Sequence, residues 1–552
     1  MRTAVAAKCA FVLGAGALAA AAINNYSARA AENSKPAPAD ALAVGSEIFH
    51  REWMPDDARG HGGDGLGPAF NDTSCVACHN AGGGGGAGPV SKNIDILSAS
   101  RIGIVQASLA MAAPQAVELA PGVPQAVASA VGVTIPPPSD PQLQPLIDLH
   151  PGFKNGRTVV LHKFGIDPSY DAYRDEFLRR GASAAEVGVS FVNADIPVDP
   201  SVLLQPQSQQ RRRVENLSLV ATARMQQARV AALANIPGRI GQINVGSFVI
   251  NRSQRNPTPL FGLGLIDAIP ESAIEAMAAQ QAKSDPATAG RVARTSDGRV
   301  GRLGWKGQTA NSEDFVLNAC AVELGLEVPG HPQAITPQAP RYKATGLDLS
   351  ADDCSSLVAY VRSLPRPVER AAETESEAKF LASGKSAFAS IGCASCHAAK
   401  LGQVEGIYSD LLIHDMGDDL GDNGSYDGSD GSDDDGFDDP LVPLASAPAS
   451  DQQARTIPVG SRVPKGARKN EWRTAPLWGV RDSGPYLHDG RAQTIEQAVA
   501  LHGGQASNSA RKFFLLSPHE RLQVEAFLKS LVAPTNPERR QLARTGKSAS
   551  ES

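Results

Sequence analysis

Two short stretches of this chain hold residues whose order, as well as their type, carries chemistry. Cys75, Cys78 and His79 stand in NDTSCVACHN, and Cys393, Cys396 and His397 repeat the same C-x-x-C-H spacing in GKSAFASIGCASCHAAK. In that order two thiols can add to the vinyl groups of a haem while the next residue places an imidazole under the iron. A structural zinc site would want a further Cys/His pair close by, and a redox dithiol has no use for the adjoining His. Two covalently bound haems c are therefore expected, attached through Cys75, Cys78, Cys393 and Cys396, with His79 and His397 as axial ligands to iron.

Such motifs are completed outside the cytoplasm, and the first residues read as an export signal. Arg2 and Lys8 precede an apolar run from Cys9 to Ala22, and Ala28-Arg29-Ala30 is a small-x-small cleavage site, so residues 1–30 are expected to be a signal peptide and the protein periplasmic. No other run approaches the roughly 20 apolar residues of a membrane span. Of the seven cysteines, setting aside Cys9 and the four in the motifs leaves Cys320 and Cys354. In an oxidising compartment that even remainder suggests a disulfide, worth about 2–4 kcal/mol. A net charge of −6 is too mild and of the wrong sign for a general nucleic-acid binder.

The elements that must position the two motifs recur. Ala41 to Trp53 places apolar residues at helical spacing, with Gly45 and Phe49 four apart, and Gly384 and Phe388 repeat that pair ahead of Cys393. A glycine and an aromatic on one helix face let a second helix cross closely. Ser350 to Leu364 and Ser517 to Leu531 supply such helices, each opening on a Ser N-cap candidate with acidic residues in the first turn or so. The order helix, haem motif, closing helix thus occurs twice. Pro365-Arg366-Pro367 ends the first unit, because proline cannot continue a helix.

These boundaries give a mainly α chain of two cytochrome c-like haem domains, the first with a long, loop-rich insertion. Residues 31–41 form a flexible leader, 42–367 the N-terminal domain, 368–536 the C-terminal domain and 537–552 a disordered tail. Within the insertion Thr158 to Phe164 reads as a short strand and Gln209 to Ala234 as a polar-faced helix. The glycine run 82–86 and the apolar segment Pro259 to Ala268 suit close approach to a porphyrin. Residues 415–439 are acidic and rich in Gly and Ser, and lack the terminal Glu of an EF-hand. They are read as a solvated loop able to steer a basic redox partner.

Several longer segments carry a family resemblance over nearly all of the mature chain. They are Gly62 to Asn80, Pro259 to Glu271, Arg302 to Lys306 (RLGWK), the second haem motif, Tyr408 to Gly417 (YSDLLIHDMG), and Glu471 to Gly490, which ends in PYLHDG. In these the chain resembles the di-haem oxidoreductases, the thiol oxidoreductase and peroxidase group related to bacterial di-haem cytochrome c peroxidases. The resemblance implies one electron-transfer haem and one haem that meets peroxide or an oxidisable substrate, with a small redox protein exchanging electrons. Met416, the only Met after Cys396, is expected as the sixth ligand of the C-terminal haem, with a histidine such as His414 or His488 as the alternative. A thioether ligand raises haem potential, which would make the N-terminal haem peroxidatic. Candidates for its distal side are His61, His162 and Glu215, and Trp305 is a candidate electron relay between the haems. The relatives also imply calcium between the domains, held partly by backbone carbonyls near Thr474 and Pro476. A di-haem electron carrier without turnover is the competing function.

Overall fold

A computed structural model describes residues 38–101, 143–154, 156–185, 209–236, 243–422, 424 and 466–534. The export segment, most of the leader, most of the acidic run and the tail 537–552 lie outside the described residues. The fold is mainly helical, with few strands, as the sequence implies.

In the N-terminal half the helices are α1 (Ala39–His50), α2 (Tyr170–Ala185), α3 (Gln209–Ala234), α4 (Glu271–Ser284), α5 (Ser312–Glu323) and α6 (Ala351–Ser363). Beyond them come α7 (Glu375–Ser390), α8 (Ile495–Ala500), α9 (Ser507–Leu515) and α10 (Pro518–Ser530). Helix α1 crosses α6, and α7 crosses α10. Both crossings rest on the glycines that the sequence singles out. A Cβ on Gly45 would lie 2.6 Å from the Ser356 carbonyl carbon and 2.7 Å from Tyr360 Cβ, and one on Gly384 would run into the Gln523 carbonyl. The backbones can meet only because neither position has a side chain. Phe49 is buried against Tyr360 at 5.4 Å between ring centres, as Phe388 is against Phe527 at 5.5 Å.

Both closing helices start with a reciprocal cap. Ser350 accepts from the backbone of Asp353, whose carboxylate returns the bond to the Ser350 N–H, and Ser517 and Glu520 do the same. Two orphan amides are satisfied at each helix start. Helix α1 begins at Ala39, so the last residues assigned to the leader are helical. Leu531–Val532, after α10, pairs antiparallel with Val368–Glu369, just beyond Pro367.

The insertion contains an antiparallel sheet that the sequence does not announce, with β1 (Ile94–Arg101), β2 (Thr158–Leu161), β3 (Ile243–Val245) and β4 (Phe248–Arg255) in the order β2-β1-β4-β3. Leu97, Leu161, Phe248 and Ile250 on this sheet pack with Phe177 of α2. The predicted strand from Thr158 to Phe164 is split into β2 and a two-residue strand, Phe164–Gly165. Helix α3 occupies the predicted span but is not simply polar. Its Ala221, Met225 and Ala228 join the cluster built by Phe388, Phe513 and Phe527, and Arg224 pairs with Glu496 of α8. The insertion therefore also covers the C-terminal half.

The acidic run is not wholly a solvated loop. Asp415 closes strand β5 (Ile413–Asp415), which pairs with β6 (Glu471–Arg473). Asp419 is bonded by Arg229 and Asp422 by Arg255 at 2.7 Å, the latter pair buried. Residues 425–439 lie outside the described residues. Among the described residues no helix is long and apolar enough to cross a membrane.

Candidate haem sites

Each motif is a single tight turn. Cys75–Cys78 form one helical turn capped by the Ser74 side chain, and the His79 amide donates to the Cys75 carbonyl at 3.0 Å. The His397 amide donates to the Cys393 carbonyl at the same 3.0 Å. The four-residue spacing thus closes each motif into one hydrogen-bonded turn from its first cysteine to its histidine.

The ring of each histidine is then fixed by its Nδ1. The Gly86 carbonyl lies 3.1 Å from His79 Nδ1 and the Tyr408 carbonyl 3.0 Å from His397 Nδ1. A bond from Nδ1–H to a carbonyl sets the tautomer and leaves Nε2 as the ligating nitrogen. The glycine run serves this purpose: Gly82, Gly83 and Gly85 have positive φ, and a Cβ on Gly86 would strike the Ala81 carbonyl. Tyr408 reaches its position at φ 49°, a left-handed conformation rare for a non-glycine residue. Burial pushes both imidazoles down to about 4, so they are neutral at physiological pH, as metal ligands must be.

The thiols do not fit a redox dithiol. Burial pushes Cys75 and Cys393 up to about 12, and burial together with Asp72 pushes Cys78 up as well. A reactive dithiol needs the opposite shift. Beside Cys75 and Cys78 opens a cavity with about 1140 Å³ of empty space, the open solvent at its mouth included. Phe49, Leu260, Phe315 and Val316 give it apolar walls. An oriented neutral imidazole, paired thiols and an apolar wall beside them fit a haem.

The polar side of this cavity differs from expectation. His61 is exposed and bonded to Asp353 at 2.6 Å, and His162 is buried with Nε2 at 2.8 Å from the Val322 carbonyl. Neither lines the cavity, and the Glu215 side chain lies outside the described residues. Glu323, Gln308, Lys306, Arg255 and the Asp72–Lys92 pair line it instead. Glu323, at the last position of α5, accepts from Asn71 Nδ2 at 2.7 Å. Among the described lining residues His79 is the one histidine, and no methionine is present.

Trp305 stands in this wall and donates from Nε1 to the Asn256 carbonyl at 2.9 Å. It also packs in the cluster of Trp472, Met416 and Leu501. Met416 is held there by its amide bond to the Asn470 carbonyl. His414 has Nε2 at 3.0 Å from Asp410 and Nδ1 at 3.6 Å from Cys396 Sγ, so both its nitrogens are engaged. These three groups lie within 4.8 Å of one another, but a thioether at Cys396 removes its sulfur as a metal ligand. His488 stacks on Trp472 at 3.8 Å, near Asp422.

One expectation is corrected. Cys320 and Cys354 are free, buried thiols on α5 and α6. They sit in one apolar core that needs no bridge to close it. The Thr474 carbonyl accepts from Ser409 Oγ at 2.7 Å and from Arg473 Nη1 at 3.2 Å. A guanidinium already occupies one approach to that oxygen. Lys306 binds the nearby backbone, donating to the carbonyls of Arg468 (2.8 Å), Lys469 (3.0 Å) and Glu471 (3.2 Å) under the face of Trp472.

Residues 460–531 match the family described as "Di-haem oxidoreductase, putative peroxidase". The match names a di-haem oxidoreductase. This di-haem oxidoreductase segment holds β6, the PYLHDG stretch and helices α8 to α10. No curated protein matches the chain. Among solved structures, hydrazine synthase of Kuenenia stuttgartiensis is 22% identical with a TM-score of 0.20, over 34% of this chain and 57% of its own. The chain thus spans little more than half of that relative. A MauG-like protein associated with microbial copper homeostasis is 17% identical with a TM-score of 0.22, over 49% of this chain and 91% of its own. Neither likeness is close enough to carry an argument.

Proposed function

We propose that the protein is an exported, periplasmic di-haem c-type oxidoreductase of peroxidase type, with each haem bound by thioether bonds at one motif. The cavity at His79 receives the substrate, and the site at His397 holds and passes electrons received from a small redox protein. The observation that supports this division is the lining of the first cavity. It offers one imidazole, no second histidine or methionine among the described residues, and a wall of carboxylate, amide and ammonium groups. An iron held by one protein ligand keeps a position for substrate.

Haem supplies the redox chemistry: peroxide takes two electrons and two protons to give two waters, and two irons can deliver the electrons. The residues do the rest. Gly86 and Ser74 fix the imidazole and thiols, while the apolar wall excludes water. Glu323, oriented by Asn71, moves the protons, and Trp305 lies on the route by which electrons enter the cavity. Positioned acid–base groups of this kind contribute about 10²–10⁴-fold.

Glu323→Gln tests the reading. Two haem equivalents by pyridine haemochrome with peroxide turnover reduced by about 10²–10⁴-fold is the expected result. Unchanged turnover removes Glu323 from the role. A wild-type protein in which neither haem binds cyanide or peroxide is an electron carrier, and the proposal fails.

A further inference from the structure

We propose that His502, and not Met416, is the sixth ligand of the haem attached at Cys393 and Cys396, so that this iron is held between two imidazoles. The inference rests on the di-haem reading above and deepens it. The His397 and His502 rings stand 6.5 Å apart between centres, with planes inclined by 45°. That is too far for ring contact; His488 on Trp472 shows the stacked distance, 3.8 Å. With each Nε2 about 2 Å from a shared metal, ring centres come to roughly 6 Å apart.

The second observation is how His502 is held. Its Nδ1 lies 2.7 Å from the Ala498 carbonyl, the same arrangement as His79 on Gly86 and His397 on Tyr408. Each of these rings is oriented through Nδ1 by a main-chain carbonyl, as the exposed His50 is by Ser46, which turns Nε2 to the opposite side of the ring. The backbone around His502 is rigid. Thr494 caps α8 by accepting from Gln497, the His502 amide donates to the Val499 carbonyl at 3.1 Å, and Gly503 and Gly504 lie against the backbone of Met416 and Gly417. Of the competing histidines, His414 is committed through both nitrogens, and His488 is stacked on Trp472 with its Nε2 3.5 Å from Asp422. The Met416 side chain belongs to the cluster of Trp305, Trp472 and Leu501.

Two imidazoles do not raise the potential of an iron as an imidazole and a thioether do. The C-terminal haem therefore works at a lower potential than a His/Met haem in the same pocket would.

The test uses the full-length, haem-loaded protein, first counted at two haem equivalents by pyridine haemochrome. Electron paramagnetic resonance and near-infrared magnetic circular dichroism should show one low-spin haem with bis-imidazole signals and no sulfur-to-iron charge-transfer band. His502→Ala should turn that haem high-spin, and added imidazole should restore the low-spin signal. His502→Met should raise its midpoint potential, and Met416→Leu should leave its spectrum unchanged. A sulfur-to-iron band in the wild type that disappears in Met416→Leu overturns the proposal. So does a low-spin signal that survives His502→Ala without imidazole. Neither outcome touches the di-haem reading, which a count below two equivalents would overturn together with this one.

Discussion

Replacing Gly45 by Ala sets two effects of opposite sign against each other at one position. Alanine in a helix interior is favoured over glycine by about 0.5–1 kcal/mol. Here the added Cβ would lie 2.6 Å from the Ser356 carbonyl carbon and 2.7 Å from Tyr360 Cβ, against roughly 3.5–4.0 Å for relaxed carbon contacts. Helix α1 must retreat from α6 by about 1 Å. The nearest atoms are backbone and a Cβ, which cannot rotate away, so the overpacking penalty falls at the upper part of the usual range, about 2–3 kcal/mol. The net is a destabilisation of about 1–2.5 kcal/mol. For a folding unit as large as residues 42–367 that lowers the Tm by about 1–4 °C. Thermal unfolding followed by far-ultraviolet circular dichroism and by the Soret band reads this, and the Soret band should also respond below the transition because Phe49 of α1 lines the first cavity. A Gly45→Ala protein as stable as the wild type or more so would refute the close crossing.

Three further outcomes follow from particular contacts. Alkylation of the denatured holoprotein without reductant should label two thiols, Cys320 and Cys354; no label would mean a disulfide. Burial acts to raise the Asp422 carboxyl, but Arg255 and His488 outweigh it and hold the carboxyl well below the usual carboxylate range. A depressed acid contributes stability above its unfolded value of about 3.9 and loses it as pH falls through the folded value. Acid unfolding of the wild type should therefore steepen below about pH 4, and Asp422→Asn should flatten that dependence. The same change leaves Arg255 buried without its partner, lowering stability at neutral pH by about 3–5 kcal/mol in urea titration.

What the sequence makes legible is what local spacing encodes. The two haem motifs, the glycine–aromatic pairs and the Ser-capped closing helices are each set within a few residues, and each is found in its predicted place. The sheet of the insertion is not legible, because β1 meets β4 across a long stretch of sequence and neither strand alternates cleanly enough to stand out. Glu323 looks from the sequence like one more polar residue of an amphipathic helix; only the approach of Asn71 marks it. His502 is a single histidine far downstream of His397, and no spacing rule joins them. The disulfide expectation came from parity, and a count of cysteines contains no geometry.

Lys306 places its Nζ among three main-chain oxygens of the segment 468–471 and tethers that segment to the turn beside Trp305. A side-chain donor that closes such a ring is encoded in the gene rather than drawn from the medium. The junction between these segments is accordingly complete when folding ends, and chelators should leave it intact.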